Sequence, residues 1–175
     1  MLVRRLDGNR NYSTGGVLGS CAMRVLGIDF GERRIGLALS DPTGTLARPW
    51  RTLERDGPDE EAVARVTEII RTLASEDEGL EAVVIGLPLR LNGSAHAMTD
   101  RVRAFAAALG ARVPQPIVLQ DERLSSHEAE SRLSLNERDW RKRKRVLDAA
   151  AAAVVLQDHL DERAAGRAPA DGEEP

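Results

Sequence analysis

Three acidic residues stand where a charge is costly. Asp29 follows the apolar run Val25-Leu26-Gly27-Ile28, Glu122 comes shortly after Ile117-Val118-Leu119, and Asp148 lies among Val146, Leu147, Ala149 and Ala150. A carboxylate in an apolar setting is tolerated when it is paired or holds a metal. Three carboxylates brought together would repel one another and their pKa values would rise. A divalent cation removes that cost. Mg²⁺ takes oxygen ligands and keeps waters for a substrate phosphate. Two such ions roughly 4 Å apart can activate a water and steady the leaving oxygen of a phosphodiester. His96, His127 and His159 are scattered and the one cysteine, Cys21, is far from them, so the residue set argues against zinc.

Each acid also has a plainer reading. Asp29-Phe30-Gly31 could be a turn in which Gly31 supplies a positive φ. Asp148 could pair with Lys144 one helical turn back. Glu122 could be a surface acid beside Arg123, and Asp121 competes with it. Neighbours on a strand point to opposite faces, so only one of Asp121 and Glu122 should enter a given site.

The run Arg138-Asp139-Trp140-Arg141-Lys142-Arg143-Lys144-Arg145 leads directly into Asp148. Such a run is ordinarily a solvated face. Positive charge at a helix N-terminus opposes the helix dipole, however, and a cost of that sign points to a polyanion as partner. Arg141, Arg145 and Asp148 fall at four- and three-residue steps, on one side of a helix that starts early enough. Arg141, Lys142, Lys144 and Arg145, with Arg33 and Arg34, are therefore the candidate nucleic-acid contacts.

The elements that must position these residues follow from periodicity. Val25–Ile28 and Ile35–Leu39 are apolar runs around the turn Glu32-Arg33-Arg34 and read as a β-hairpin. Thr45–Leu53 is a weaker third strand, and Pro49 argues for an edge position. Ala62, Val63, Val66, Ile69, Ile70 and Leu73 recur at helical steps, giving a helix over Asp59–Ser75 with Asp59, Glu60 and Glu61 in its first turn. Ala82–Ile85 is a strand buried on both faces, ended by Gly86-Leu87-Pro88. Met98, Val102, Phe105 and Leu109 stripe a second helix, stopped by Gly110. Ile117–Leu119 is a short core strand. Ser125 and Glu128 form a capping box for a helix near His127–Leu133, and an Ala-rich helix runs from about Arg143 to Ala164. This order predicts an α/β fold: a mixed five-stranded sheet, antiparallel first and parallel later, with helices on both faces.

The chain has 175 residues, enough for one domain with its own core. Residues 1–22 are expected to form a disordered extension, 23–164 the folded domain and 165–175 a flexible tail. Aromatics make up 3% of the chain and its net charge is −3, which excludes a base-stacking coat protein and a generally basic one. A single cysteine excludes an internal disulfide framework and fits a reducing cytosol. No run is apolar enough to span a membrane, and no signal peptide is read.

Four blocks resemble the YqgF/RuvX family of the RNase H-like superfamily, related to Holliday-junction resolvases. They are Gly27-Ile28-Asp29-Phe30-Gly31 with Arg34-Ile35-Gly36, Gly86-Leu87-Pro88-Leu89 followed by Asn92-Gly93, Asp121-Glu122-Arg123-Leu124-Ser125-Ser126, and Lys144-Arg145-Val146-Leu147-Asp148-Ala149-Ala150-Ala151. The resemblance covers about residues 24–160. It implies an RNase H-like fold, Mg²⁺- or Mn²⁺-dependent nuclease chemistry, and Asp29, Glu122 and Asp148 as catalytic and metal-binding acids. It also implies a cytoplasmic enzyme that processes the 5′ end of the 16S rRNA precursor. Alternatives are a Holliday-junction resolvase, for which a two-fold homodimer is expected, and a non-catalytic RNA-binding assembly factor. A small ATPase of the actin and sugar-kinase kind is disfavoured, because that chemistry needs two such domains.

Overall fold

A computed structural model of the chain describes residues 23–89, 97–121 and 140–166. The expected terminal extension and most of the expected tail lie outside these, as do Cys21, His96, His127, Glu122 and the helix read near 127–133. Five strands and three helices are described: β1 (Arg24–Phe30), β2 (Arg34–Ser40), β3 (Ala47–Glu54), α1 (Asp59–Ser75), β4 (Leu80–Leu87), α2 (Ala97–Gly110), β5 (Ile117–Asp121) and α3 (Trp140–Ala165). They form one sheet in the order β3-β2-β1-β4-β5. β1–β2 and β2–β3 are antiparallel, and β1–β4 and β4–β5 are parallel. This is the mixed five-stranded sheet, antiparallel first and parallel later, that the order of elements predicts.

Strand alternation divides the core into two layers. Leu26, Ile28, Phe30, Ile35, Leu37, Val83 and Ile85 pack against Val63, Val66, Ile70 and Leu73 of α1 and Val102, Phe105 and Leu109 of α2. On the other face, Val25, Ala38, Ala82 and Val84 pack against Ala152, Val155, Leu156 and Leu160 of α3. The first layer is built from large side chains. The second mixes alanines with valines and leucines, and Gly27 lets α3 lie close to the sheet. A Cβ added at Gly27 would sit 2.7 Å from Leu156 Cβ.

Two boundaries differ from expectation. The last helix begins at Trp140, three residues before the reading from its alanines, so the basic run 141–145 is part of the helix. Gly110 is the last residue of α2 and has no positive φ; among the described glycines only Gly44 and Gly79 do. Pro49 lies on the edge strand as predicted. It sits at a register shift, where Leu37 pairs with Arg51 and Ala38 with Pro49, leaving Trp50 as an extra residue.

Candidate active site

Asp29 is the penultimate residue of β1 and lies across from Gly36 of β2. Directly paired residues of an antiparallel ladder share a face. That face is the α3 face, because Ala38, two residues on from Gly36, packs against α3. Gly36 has no side chain, and α3 uses the space. A Cβ there would lie 1.9 Å from the carbonyl oxygen of Asp148 and 2.5 Å from its carbonyl carbon. The helix backbone at Asp148 therefore rests on β2, beside Asp29. Asp148 is 119 residues from Asp29 in chain order, so their proximity is invisible to local periodicity.

The electrostatics agree with this placement. Burial pushes the Asp29 carboxyl up to about 6, and the negative charge of Asp148 adds to the shift. Arg34 lies two residues before Gly36 and so on the same face of β2. Its Nη1 is 3.5 Å from Asp148 Oδ2. The cation at Asp148 in the described structure is thus Arg34 of the sheet; the side chain of Lys144, the partner considered from sequence, lies outside the described residues.

The turn after Asp29 is tied down from behind. Gly31 N–H donates to the Arg34 carbonyl at 2.9 Å, and a Cβ at Gly31 would lie 2.9 Å from that same oxygen. Crowding, not a positive φ, accounts for this glycine. The Arg55 backbone N–H donates to the Arg33 carbonyl at 2.9 Å. The buried Arg55 guanidinium donates to the Gly31 carbonyl, pairs with Asp59 and stacks 4.1 Å from the Phe30 ring centroid. Phe30 in turn stacks on Phe105 at 4.2 Å, and Arg101 of α2 donates to Asp59 at 2.9 Å. This network was missed from sequence, where Asp59 reads only as a first-turn acid. It joins the hairpin to both helices of the large-residue layer.

The second acid is approached from β5. Gln120 donates to Glu162 at 3.0 Å and lies 3.3 Å from His159 Nδ1, both on α3, so Gln120 faces the α3 layer. Alternation then turns Asp121 to the opposite face. Glu122 lies outside the described residues, as do the side chains of Arg141, Lys142, Lys144 and Arg145. Arg33 is exposed in the turn and forms no ion pair among the described residues.

The structure therefore brings together Asp29, Asp148 and Arg34. Among the described residues no group of three or more His, Cys, Asp or Glu side chains forms a metal cage. The pair that is present does suit a hard cation. Both are oxygen donors, and burial together with the charge of Asp148 raises the Asp29 carboxyl to about 6, a cost that a bound cation would relieve.

Comparison with known proteins gives this geometry a family. A model of the family described as "RuvX: Holliday junction resolvase" matches residues 23–162. A protein of Pelotomaculum thermopropionicum named "Putative pre-16S rRNA nuclease" is 37% identical over 153 residues, covering 87% of this chain and 96% of its own. One of the same name from a Nocardioides species is 45% identical over 150 residues, covering 83% and 93%. Among solved structures, T. thermophilus RuvC in complex with a Holliday junction substrate is 18% identical with a TM-score of 0.49, covering 81% of this chain and 96% of that one. The matched segment runs from the start of β1 almost to the end of α3 and holds both acids within it: the chain belongs to the RuvX family.

Proposed function

We propose that this chain is a divalent-metal-dependent endonuclease that hydrolyses phosphodiester bonds in structured nucleic acid, with the 5′ end of the 16S rRNA precursor as its substrate. The observation that carries this reading is the convergence of Asp29 and Asp148 at the carboxyl end of β1. Residues there flank the crevice where open α/β sheets bind ligands. The names of the two relatives support the substrate, since the matches cover most of each chain. The cation is Mg²⁺ or Mn²⁺, held by Asp29, Asp148 and Glu122. Glu122 is assigned because Asp121 is turned to the other face and because it completes the acidic motif. The chemistry that such an ion would supply there is an activated water and positive charge against the phosphorus centre.

The remaining roles belong to the chain. Asp29 must be ionised to hold the cation. Arg33 and the residues 141, 142, 144 and 145 hold flanking phosphates, which positions the strand and reads no sequence. The absence of a helix long and apolar enough to cross a membrane among the described residues is compatible with this work.

A second reading, resolution of four-way DNA junctions, is favoured by the description of the matching family. One experiment addresses both. Precursor rRNA and a four-way DNA junction are incubated side by side with the wild type and Asp29→Asn, with and without Mn²⁺. The expected result is Mn²⁺-dependent cleavage of the RNA by the wild type, and none by Asp29→Asn although it still binds. Cleavage of the junction alone would transfer the assignment to the second reading. Equal cleavage by the two proteins would remove Asp29 from the mechanism.

A further inference from the structure

We propose that Trp50 is a stacking platform for one unpaired base of the nucleic-acid substrate, set at the rim of the sheet near the acids. The inference rests on the nucleic-acid reading above and adds the kind of substrate segment that this rim takes.

The ring is displayed where a core aromatic would be hidden. Phe30 and Phe105 are 3% and 2% exposed, whereas Trp50 is 38% exposed. It is the extra residue of the β3 bulge, on an edge strand of the sheet. A bulge re-aims a side chain, and bulges gather at sheet edges and next to active sites. Protection of the edge does not account for the tryptophan. Pro49 and the bulge already blunt this strand against pairing with another, and an exposed indole works against that protection.

The surroundings suit a polyanion. Arg48, Pro49, Trp50 and Arg51 form an unbroken exposed run, and residues 47–53 contain no acid although the whole chain carries a net charge of −3. Neither arginine makes an ion pair or hydrogen bond among the described residues, so both charges are available to draw nucleic acid to the rim. The Arg51 guanidinium lies 4.7 Å from the Trp50 ring centroid, which steadies the ring and sets a positive charge beside the stack.

The position fits a strand that also meets the acids. Thr52 pairs with Gly36, and Gly36 pairs with Asp29. Trp50 is thus two strands across and two residues along from Asp29, roughly 12 Å by strand geometry. The Ala47 N–H donates to Gln157 at 2.9 Å, so α3 runs beside β3 from the level of Asp148 to that of Ala47, with Trp50 between them. A strand with a phosphate at the acids reaches the ring a few nucleotides on. Bases inside a duplex are already stacked, so the platform selects an unpaired flank.

Full-length protein is tested with a chelator present, so that no cleavage intervenes. The chain has two tryptophans, and in a Trp140→Phe background the emission comes from Trp50 alone. A short single-stranded RNA should quench that emission, and the same RNA in a perfect duplex should not. Trp50→Ala should bind the single strand about tenfold more weakly, the loss of one base–aromatic stack, and Trp50→Phe should recover most of that loss. An abasic backbone of equal length should bind the wild type and Trp50→Ala equally, a result that a general structural defect would not give. Single-strand binding without quenching, or with equal affinity for the wild type and Trp50→Ala, would overturn the inference and leave the nuclease reading standing. So would a Trp50→Ala protein that loses self-association but keeps its RNA affinity, which would give the rim to a second copy of the chain. No binding of either RNA by the wild type would overturn the nucleic-acid reading, and this inference with it. If Trp50→Ala fails to fold, the quenching comparison decides.

Discussion

The carbonyl oxygen of Asp148 occupies the space that a side chain at Gly36 would need, 1.9 Å from an added Cβ. The clash is with helix backbone, so no rotamer change relieves it. Gly36→Ala must push α3 away from β2 and carry Asp148 from Asp29. The expected cost is about 3 kcal/mol, at the upper end for overpacking a tight interface. Urea unfolding measures it. Divalent-ion affinity should fall in the protein that remains folded. A stability change within about 0.5 kcal/mol, the range of ordinary surface substitutions, would show that the helix does not rest on Gly36.

Asp29 predicts an unusual pH dependence. Its carboxyl is raised from the ordinary value of 3.8 to about 6, first by burial and then by Asp148. The native state therefore holds a proton that the unfolded state has released. Between about pH 4 and pH 6 the metal-free protein should lose stability as pH rises, because the unfolded chain binds fewer protons there. A shift of about 2 units corresponds to roughly 3 kcal/mol, an upper bound once the site relaxes. Asp29→Asn removes the buried charge. With a chelator present at pH 7, that variant should be more stable than the wild type by about 1–3 kcal/mol while being inactive. Thermal melts of both proteins at pH 5 and pH 7 test this. A variant less stable than the wild type at pH 7 would refute it.

These two predictions mark what the sequence can and cannot reveal. Every described element was legible, because each carries its own period: Val63, Val66, Ile70 and Leu73 for α1, Val83 to Ile85 for β4. The acids Asp29 and Asp148 were also legible, as charges in apolar runs. Their relation to Arg34 and Gly36 was not. Arg34 looks like one of three charged turn residues, and Gly36 like a weak spot in a strand. Only the register Asp29–Gly36 and the docking of α3 give them meaning. Lys144 was the local candidate for Asp148 because helical spacing shows neighbours four residues apart and says nothing about Arg34, 114 residues away on the sheet. The start of α3 was placed late because consecutive arginines and lysines hide a helical pattern that alanines reveal.

Arg55 anchors the hairpin turn that follows Asp29. Its side chain is 3% exposed, donates to the Gly31 carbonyl and stacks on Phe30. Arg55→Ala removes a donor from that carbonyl and empties the space over the ring. The loss should be about 2–3 kcal/mol, combining an unsatisfied acceptor with lost packing. Asp59 keeps Arg101 as a partner, so the variant should still fold. Arg55→Met, which restores the packing without the donor, should recover part of that loss. Equal stability of Arg55→Ala and the wild type in urea would mean that the turn is held by backbone contacts alone.

The basic run now lies on a continuous helix that begins at Trp140 and contains Asp148. Positions 141, 145 and 148 recur at four- and three-residue steps along it, so phosphates held at 141 and 145 would line up toward the acid. Each Lys or Arg that neutralises a phosphate steepens the fall of affinity with salt by about one unit on a log–log plot. Replacing Arg141, Lys142, Lys144 and Arg145 together with Gln should flatten that slope by about 2–4 units. It should weaken binding to related and unrelated RNA alike, because phosphate contacts carry no sequence information. Helix content should be retained, since glutamine is about as good a helix former as lysine or arginine. Filter binding over a range of salt concentrations provides the measurement. An unchanged slope would make the run a solvated face, and would leave Arg33 as the remaining proposed phosphate contact.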